Sequence, residues 1–125
     1  MLVEYRNNYQ KIALGLLSYV PKIADYQDIH KTLNWYLSQN DRRLFLWKNE
    51  VNNFTGIIGI QFIENYVLLR IIVMSAQENR LMDKVRVLNA LQDLFPDKKI
   101  LGTMENVDLI TQWEHIINNE EHTNE

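Results

Sequence analysis

Tyr66-Val67-Leu68-Leu69-Arg70-Ile71-Ile72-Val73-Met74, followed by Ser75-Ala76-Gln77-Glu78-Asn79 and an amphipathic run to Phe95, decides the fold of this chain. The first segment reads as a long buried strand, because aliphatic and β-branched residues follow one another without a break signal. In the second, Leu81, Val85, Leu88, Leu91 and Phe95 recur at helical spacing from about Asn79 to Leu94, and Pro96 ends the element. A strand that empties onto a helix N-terminus forms an anion site, since the first-turn N–H groups are unpaired and the macrodipole is positive there. No glycine occurs in this junction.

Upstream, Met1 to Tyr5 reads as a short strand. Tyr9, Ile12, Ala13, Leu16, Leu17 and Val20 then mark one helix face, which Pro21 stops. Asp25 caps a second helix with Tyr26, Ile29, His30, Leu33 and Leu37 on one face. Leu44 to Trp47 reads as a strand, Lys48 to Asn53 as a hairpin loop and Phe54 to Ile63 as a strand in which Gly56 and Gly59 mark bulges or close backbone approaches. Glu64-Asn65 turns the chain back into Tyr66, which makes the centre a three-stranded antiparallel meander. Downstream, Lys98 to Met104 reads as a strand, and Asn106 caps a last helix carrying Val107, Ile110, Trp113 and Ile117. The expected order is βααβββαβα, an α+β class with a mostly antiparallel mixed sheet and about four helices.

A length of 125 residues fits one domain, and 46% hydrophobic with 23% charged residues is ordinary for a soluble protein. The formal charge of −3 and the lack of a basic run argue against nucleic acid or an anionic membrane as the main partner. The absence of cysteine excludes disulfides, thiolate catalysis and Cys-ligated zinc, and His30, His115 and His122 are too scattered for a metal site. Met1-Leu2-Val3-Glu4 shows no charged-then-apolar signal pattern, and no apolar run is long enough to span a bilayer, so the expected address is cytoplasmic. Residues 118 to 125 contain nothing apolar and are expected to form a disordered acidic tail, leaving one domain over residues 1 to 117.

The element order, together with Arg42-Arg43-Leu44-Phe45-Leu46-Trp47, Gly56-Ile57-Ile58-Gly59, Leu69-Arg70-Ile71-Ile72-Val73 and the opening Ile12-Ala13-Leu14-Gly15-Leu16-Leu17-Ser18 before Pro21, resembles the GNAT acetyltransferase fold. Among GNAT proteins it looks like the RibT-type members encoded among riboflavin-synthesis genes, over residues 1 to 117. The resemblance implies acetyl-CoA at the strand-to-helix junction, with pyrophosphate on the N–H groups of a turn of the form Gln/Arg-x-x-Gly-x-Gly/Ala. Here the length-matched residues are Asn79-Arg80-Leu81-Met82-Asp83-Lys84, with Met82 and Lys84 at the glycine positions. Arg80 and Lys84 place positive charge at a helix start, which the macrodipole disfavours unless an anion binds there. The other reading is that Glu78 and Asp83 balance them on a solvated face.

By the same resemblance the backbone of Ile72, Val73 and Met74 runs beside the pantetheine arm, where an amide would polarise the thioester carbonyl. Asn106 matches an asparagine early in the last helix. In Gln112-Trp113-Glu114-His115, Trp113 holds a packing position and Glu114 stands where the family has a tyrosine that protonates the leaving thiolate; the other reading of Glu114 is a solvated helix residue. Trp35 and Tyr36 read either as lining of an acceptor pocket between the second helix and the sheet or as ordinary core. Arg70, alone in an apolar strand, faces solvent or pairs with a carboxylate such as Glu64. The implied function is transfer of acetyl from acetyl-CoA to a small-molecule or protein amine. The alternative is a degenerate accessory or interaction protein with little or no CoA binding, acting as a homodimer.

Overall fold

In a computed structural model describing residues 1–21, 23 and 25–123, the chain forms strands β1 (Leu2–Glu4), β2 (Arg42–Lys48), β3 (Phe54–Ile63), β4 (Tyr66–Met74) and β5 (Lys99–Gly102). The helices are α1 (Gln10–Leu17), α2 (Tyr26–Leu37), α3 (Leu81–Leu94) and α4 (Val107–Thr123). The sheet runs β1-β2-β3-β4-β5, antiparallel as far as β4 and parallel between β4 and β5. Direct hairpins join β2, β3 and β4, whereas the α3 crossover returns the chain parallel to β4. This is the α+β architecture expected from the sequence.

Period-two alternation sorts the apolar residues onto two faces. Phe45, Ile58, Val67, Leu88, Leu91 and Trp113 belong to a core under α3 and α4. Leu44, Leu46, Ile57, Leu17, Leu33 and Tyr36 form a second core under α1 and α2. The Asp25 carboxylate accepts from the Gln27 N–H at 3.3 Å, so the expected α2 cap is present.

Beyond shifts of one or two residues at the ends of β1, β2 and β5, three boundaries differ from the sequence reading. Helix α1 ends at Leu17 instead of running to Val20, because Tyr19 and Val20 donate to Leu16 and Leu17 in tight three-residue turns ahead of Pro21. Strand β4 does not run straight into α3: a 3-10 turn at Ala76–Glu78 intervenes. The Glu78 carboxylate holds that turn to the β2–β3 hairpin, accepting from Asn49 Nδ2 at 2.7 Å and Thr55 Oγ1 at 2.8 Å. Helix α4 continues through residues 118 to 123, where the sequence predicts a tail. Asn118, Asn119 and Glu120 are exposed there, so these three add nothing to the core. Residues 124 and 125 of the expected tail lie outside the described residues.

Candidate functional site

The site begins where the sheet opens. Pairing of β4 with β5 extends from Tyr66 opposite Lys99 to Leu69 opposite Gly102, whereas β4 itself runs on to Met74. Beyond Leu69, β4 therefore has β3 on one side and no strand on the other. Ser75 donates to the Thr55 carbonyl on the β3 side. Strand alternation then turns the Val73 peptide toward β3 and those of Ile72 and Met74 onto the free edge. Of the expected pantetheine-facing residues, Ile72 and Met74 thus present main-chain groups to the opening.

Asn106 pins the point of divergence. Its carbonyl accepts from the Ile110 N–H at 3.1 Å, as the residue capping α4 should. Its side chain does not cap the helix. Nδ2 donates to the carbonyls of Leu69 at 3.3 Å and Arg70 at 3.0 Å, and lies 3.0 Å from Thr103 Oγ1. These bonds tie the start of α4 to the last paired part of β4.

A bulge re-aims β4 at this point. Gly59 faces Ile71 and Ile60 faces Leu69, so Arg70 is the extra residue. Val67 and Leu69 face the α3/α4 core, yet beyond the bulge it is Ile72 and Met74 that do so, while Ile71 and Val73 join the α1/α2 side. Arg70 and Ile71 consequently both line a cleft of about 460 Å³ beneath α2, with Lys31, Thr32, Trp35, Tyr36, Thr103 and Glu105. Both expected acceptor-pocket residues are in this lining, and Tyr36 is core as well, with 4% of its surface exposed.

Arg70 is not partnered by Glu64. The bulge carries it across the sheet, where its Nε donates to Gln61 Oε1 at 2.8 Å; Gln61 in turn donates to Asp41 Oδ2 at 3.0 Å. The Arg70 guanidinium carbon lies 5.0 Å from the centroid of the Trp35 ring, and that of Arg42 lies 3.7 Å from it. Arg42 also donates to the Trp35 carbonyl at 3.0 Å. Tyr36 packs edge-on to Trp35, and burial pushes its phenol pKa well above the usual range, with Arg70 and Arg42 pulling the other way. The phenol is therefore neutral at physiological pH. Sequence reasoning missed Lys31 and Arg70 as parts of this cleft; the one available signal was a lone arginine in an apolar strand.

At the other end of β4, a cleft of about 580 Å³ reaches the N-terminus of α3 and includes Asn49, Gln77, Glu78, Arg80, Asp83 and Arg86 in its lining. The Asp83 carboxylate reaches back to the Arg80 N–H at 3.1 Å and lies 3.5 Å from Arg86 Nη1. Glu78 is engaged by the hairpin, as described above. Neither acid forms an ion pair with Arg80 or Lys84, and among the described residues those two cations have no ion-pair partner. The N–H groups of Leu81 and Met82 also have no hydrogen-bond acceptor among the described residues. Leu81 and Met82 point outward, 40% and 48% exposed, and do not plug the helix end. Asn79 lies in the linker just before Arg80 and is exposed.

Glu114 sits half-buried on α4 and lines neither cleft. Trp113 is buried, its Nε1 donating to Asn89 Oδ1 of α3 at 2.9 Å, and so holds the packing position expected of it. Among the described residues no helix is long and apolar enough to cross a membrane.

No family model matches the chain. An uncharacterized N-acetyltransferase from the lysA 3′ region of Bacillus methanolicus is 33% identical over 116 residues, covering 91% of this chain and 95% of that protein. A chimera of the Vibrio cholerae spermidine N-acetyltransferase superposes with a TM-score of 0.68 at 13% identity, covering 92% of this chain and 78% of that one. An aminoglycoside 6′-N-acetyltransferase from Acinetobacter haemolyticus gives a TM-score of 0.64 at 8% identity, covering 92% and 86%. At such identities the two solved structures speak for the fold alone.

Proposed function

The chain belongs to the GNAT superfamily of N-acetyltransferases, and we propose that it moves an acetyl group from acetyl-CoA to an amine held in the cleft beneath α2. The observation that carries this reading is the divergence of β4 from β5 after Leu69, which leaves a free strand edge leading to the open N-terminus of α3. The residues present fit the donor. The Leu81 and Met82 N–H groups with Arg80 and Lys84 would hold its pyrophosphate, while Asn79 and Asp83 flank that turn. The free edge at Ile72 and Met74, with Val73 between them, would accompany the pantetheine arm toward Asn106. Bound there, acetyl-CoA supplies an activated thioester.

The protein's own part is positioning and proton transfer. A main-chain N–H on the free edge of β4 would stabilise the oxyanion. Trp35 and Tyr36 would shape the acceptor site, and Glu114 is the proton donor proposed for the departing sulfur. The acceptor is a small-molecule or protein amine, and the compartment is the cytoplasm, in keeping with a cysteine-free sequence. The likeness to RibT-type proteins adds a role beside riboflavin synthesis as the finer part of the proposal.

One observation favours a second reading. The Asp83 carboxylate already occupies the Arg80 N–H, so a phosphate must approach an acidic group. That arrangement suits an accessory or interaction protein of the same fold, working as a homodimer with little CoA affinity. Calorimetric titration with acetyl-CoA and CoA at low and moderate salt separates the two. Micromolar binding that weakens with salt is expected, whereas no binding up to millimolar ligand would leave only the accessory role.

A further inference from the structure

The cleft beneath α2 has its charge on the floor. Arg70 is half-buried there, with its Nε held by Gln61 and Gln61 held by Asp41. Its guanidinium sits over the Trp35 ring, and among the described residues its terminal nitrogens have no hydrogen-bond acceptor. A guanidinium fixed at one edge and free at the other is preorganised to accept a carboxylate or phosphate side-on. Lys31 adds a second cation at the exposed rim, with Glu105 as the cleft's one carboxylate. Arg42, stacked on Trp35 behind the cleft, lies 3.9 Å from the Asp41 carboxylate and so adds little net charge. A polycation entering here would bring like charge against a half-buried guanidinium, which the low local dielectric makes costly.

Resting on the acetyltransferase reading above, we infer that the acceptor is an amine that also carries an anionic group, a carboxylate or a phosphate, bound by Arg70 with Lys31 at the rim. Polyamines and aminoglycosides, the amines named for two structural neighbours, are then poor acceptors for this protein. The position of Arg70 supports this assignment. It lies at the residue where β4 loses β5, so an amine anchored through its anion is held next to the free strand edge. The step itself is ordinary acyl transfer: the amine nitrogen bonds to the acetyl carbon, the carbon–sulfur bond breaks, one proton leaves the nitrogen and one is taken up by the sulfur.

The test presents the full chain with saturating acetyl-CoA and two amine sets. One contains an α-amino acid, an aminobenzoate and an amino-sugar phosphate; the other contains spermidine and an aminoglycoside. Direct binding is followed by calorimetry and product by mass spectrometry. Binding and acetylation within the first set are expected, its carboxylate and phosphate members showing which oxyanion the site takes. Arg70→Gln should raise KM for those amines roughly tenfold or more with kcat changed less, and Arg70→Lys should recover part of that loss. Lys31→Glu, at an exposed helix position that does not threaten folding, should raise KM about two- to fivefold. Acetyl-CoA titrations of all three variants should match the parent. Binding or acetylation confined to the polycations would overturn the inference and leave the acetyltransferase standing, as would acetyl-CoA binding with no anionic amine bound at millimolar concentration. Loss of acetyl-CoA binding in the parent protein would remove the acetyltransferase reading, and this inference with it.

Discussion

At the N-terminus of α3 the protein supplies its own anion, whereas the cleft beneath α2 holds on its floor a cation that forms no ion pair among the described residues. Asp83 sits on the Arg80 N–H, and Glu78 is drawn away to Asn49 and Thr55. Beneath α2, Asp41 and Gln61 steady Arg70 from one side only. Both regions lie on the same strand, one at its bulge and one past its end. On the proposed function, the difference is between a site whose occupant must compete with a side chain and a site built in advance for its occupant. Preorganisation removes an ordering cost that the first region still carries.

The largest effect should come from filling the space that the α2 cleft takes from the sheet. A Cβ at Gly59 would lie 2.5 Å from Tyr36 Cζ and 2.6 Å from its oxygen. The Tyr36 ring is packed against Trp35 and cannot swing clear without moving α2. Gly59→Val should therefore destabilise the protein by about 1–3 kcal/mol through overpacking, seen as a lower Tm. It should also abolish amine binding while acetyl-CoA titrates as before. Parallel loss of both ligands would show that the two regions are one mechanical unit, and the contrast would fail.

Next comes alkaline pH. Tyr36 titrates near 10.0 in the unfolded chain and well above that when folded, because burial disfavours phenolate. Between the two values the folded state holds a proton that the unfolded state has lost. Its contribution is thus complete below pH 10 and declines above it, at up to about 1.4 kcal/mol per pH unit. Denaturation series from pH 9 to 11 should show this slope in the parent and a shallower one in Tyr36→Phe. Equal slopes would mean the cleft is wetter than its burial indicates, which would weaken the claim that charge there is strongly felt.

The sequence made the scaffold legible and the chemistry only partly so. Strand β4 and the strand before it were readable to the residue because Ile, Val and Leu follow one another between turn signals at Asn53 and Glu64-Asn65. Helix ends were less so: Pro21 shows that α1 must stop, but the turns at Tyr19 and Val20 depend on where the chain goes next. Trp35 and Tyr36 could be picked out by type and position. Arg70 could be noticed but not placed, since its direction depends on a bulge that shifts the strand's phase by one residue. Gly59 on the facing strand did signal a bulge or close approach, and the register shift falls there, but the apolar pattern of β4 itself does not say which of its residues is the extra one. Asp83 was expected to neutralise a neighbouring cation. In the fold it pairs with Arg86 rather than with Arg80 or Lys84, and its other oxygen serves the Arg80 N–H of α3's unpaired first turn.

The smallest effects test the other side of the contrast, at α3. Asp83→Asn keeps an oxygen that can accept from the Arg80 N–H but removes the charge that opposes a phosphate. Loss of an acid from the first turn should cost the free protein about 0.3–1 kcal/mol. Relief of repulsion of the same order would raise acetyl-CoA affinity roughly two- to fivefold. Lys84→Ala should lower the affinity by a similar factor, since it removes a cation that has no ion-pair partner among the described residues, beside the same N–H groups. Because both residues lie partly in solvent, each difference should shrink as salt rises. A rise for Asp83→Asn with a fall for Lys84→Ala would identify Asp83 as an internal competitor for the anion site. A fall for both would reverse its role: the carboxylate would then be holding the turn in the shape that binds, and the α3 end would be as preorganised as the α2 cleft.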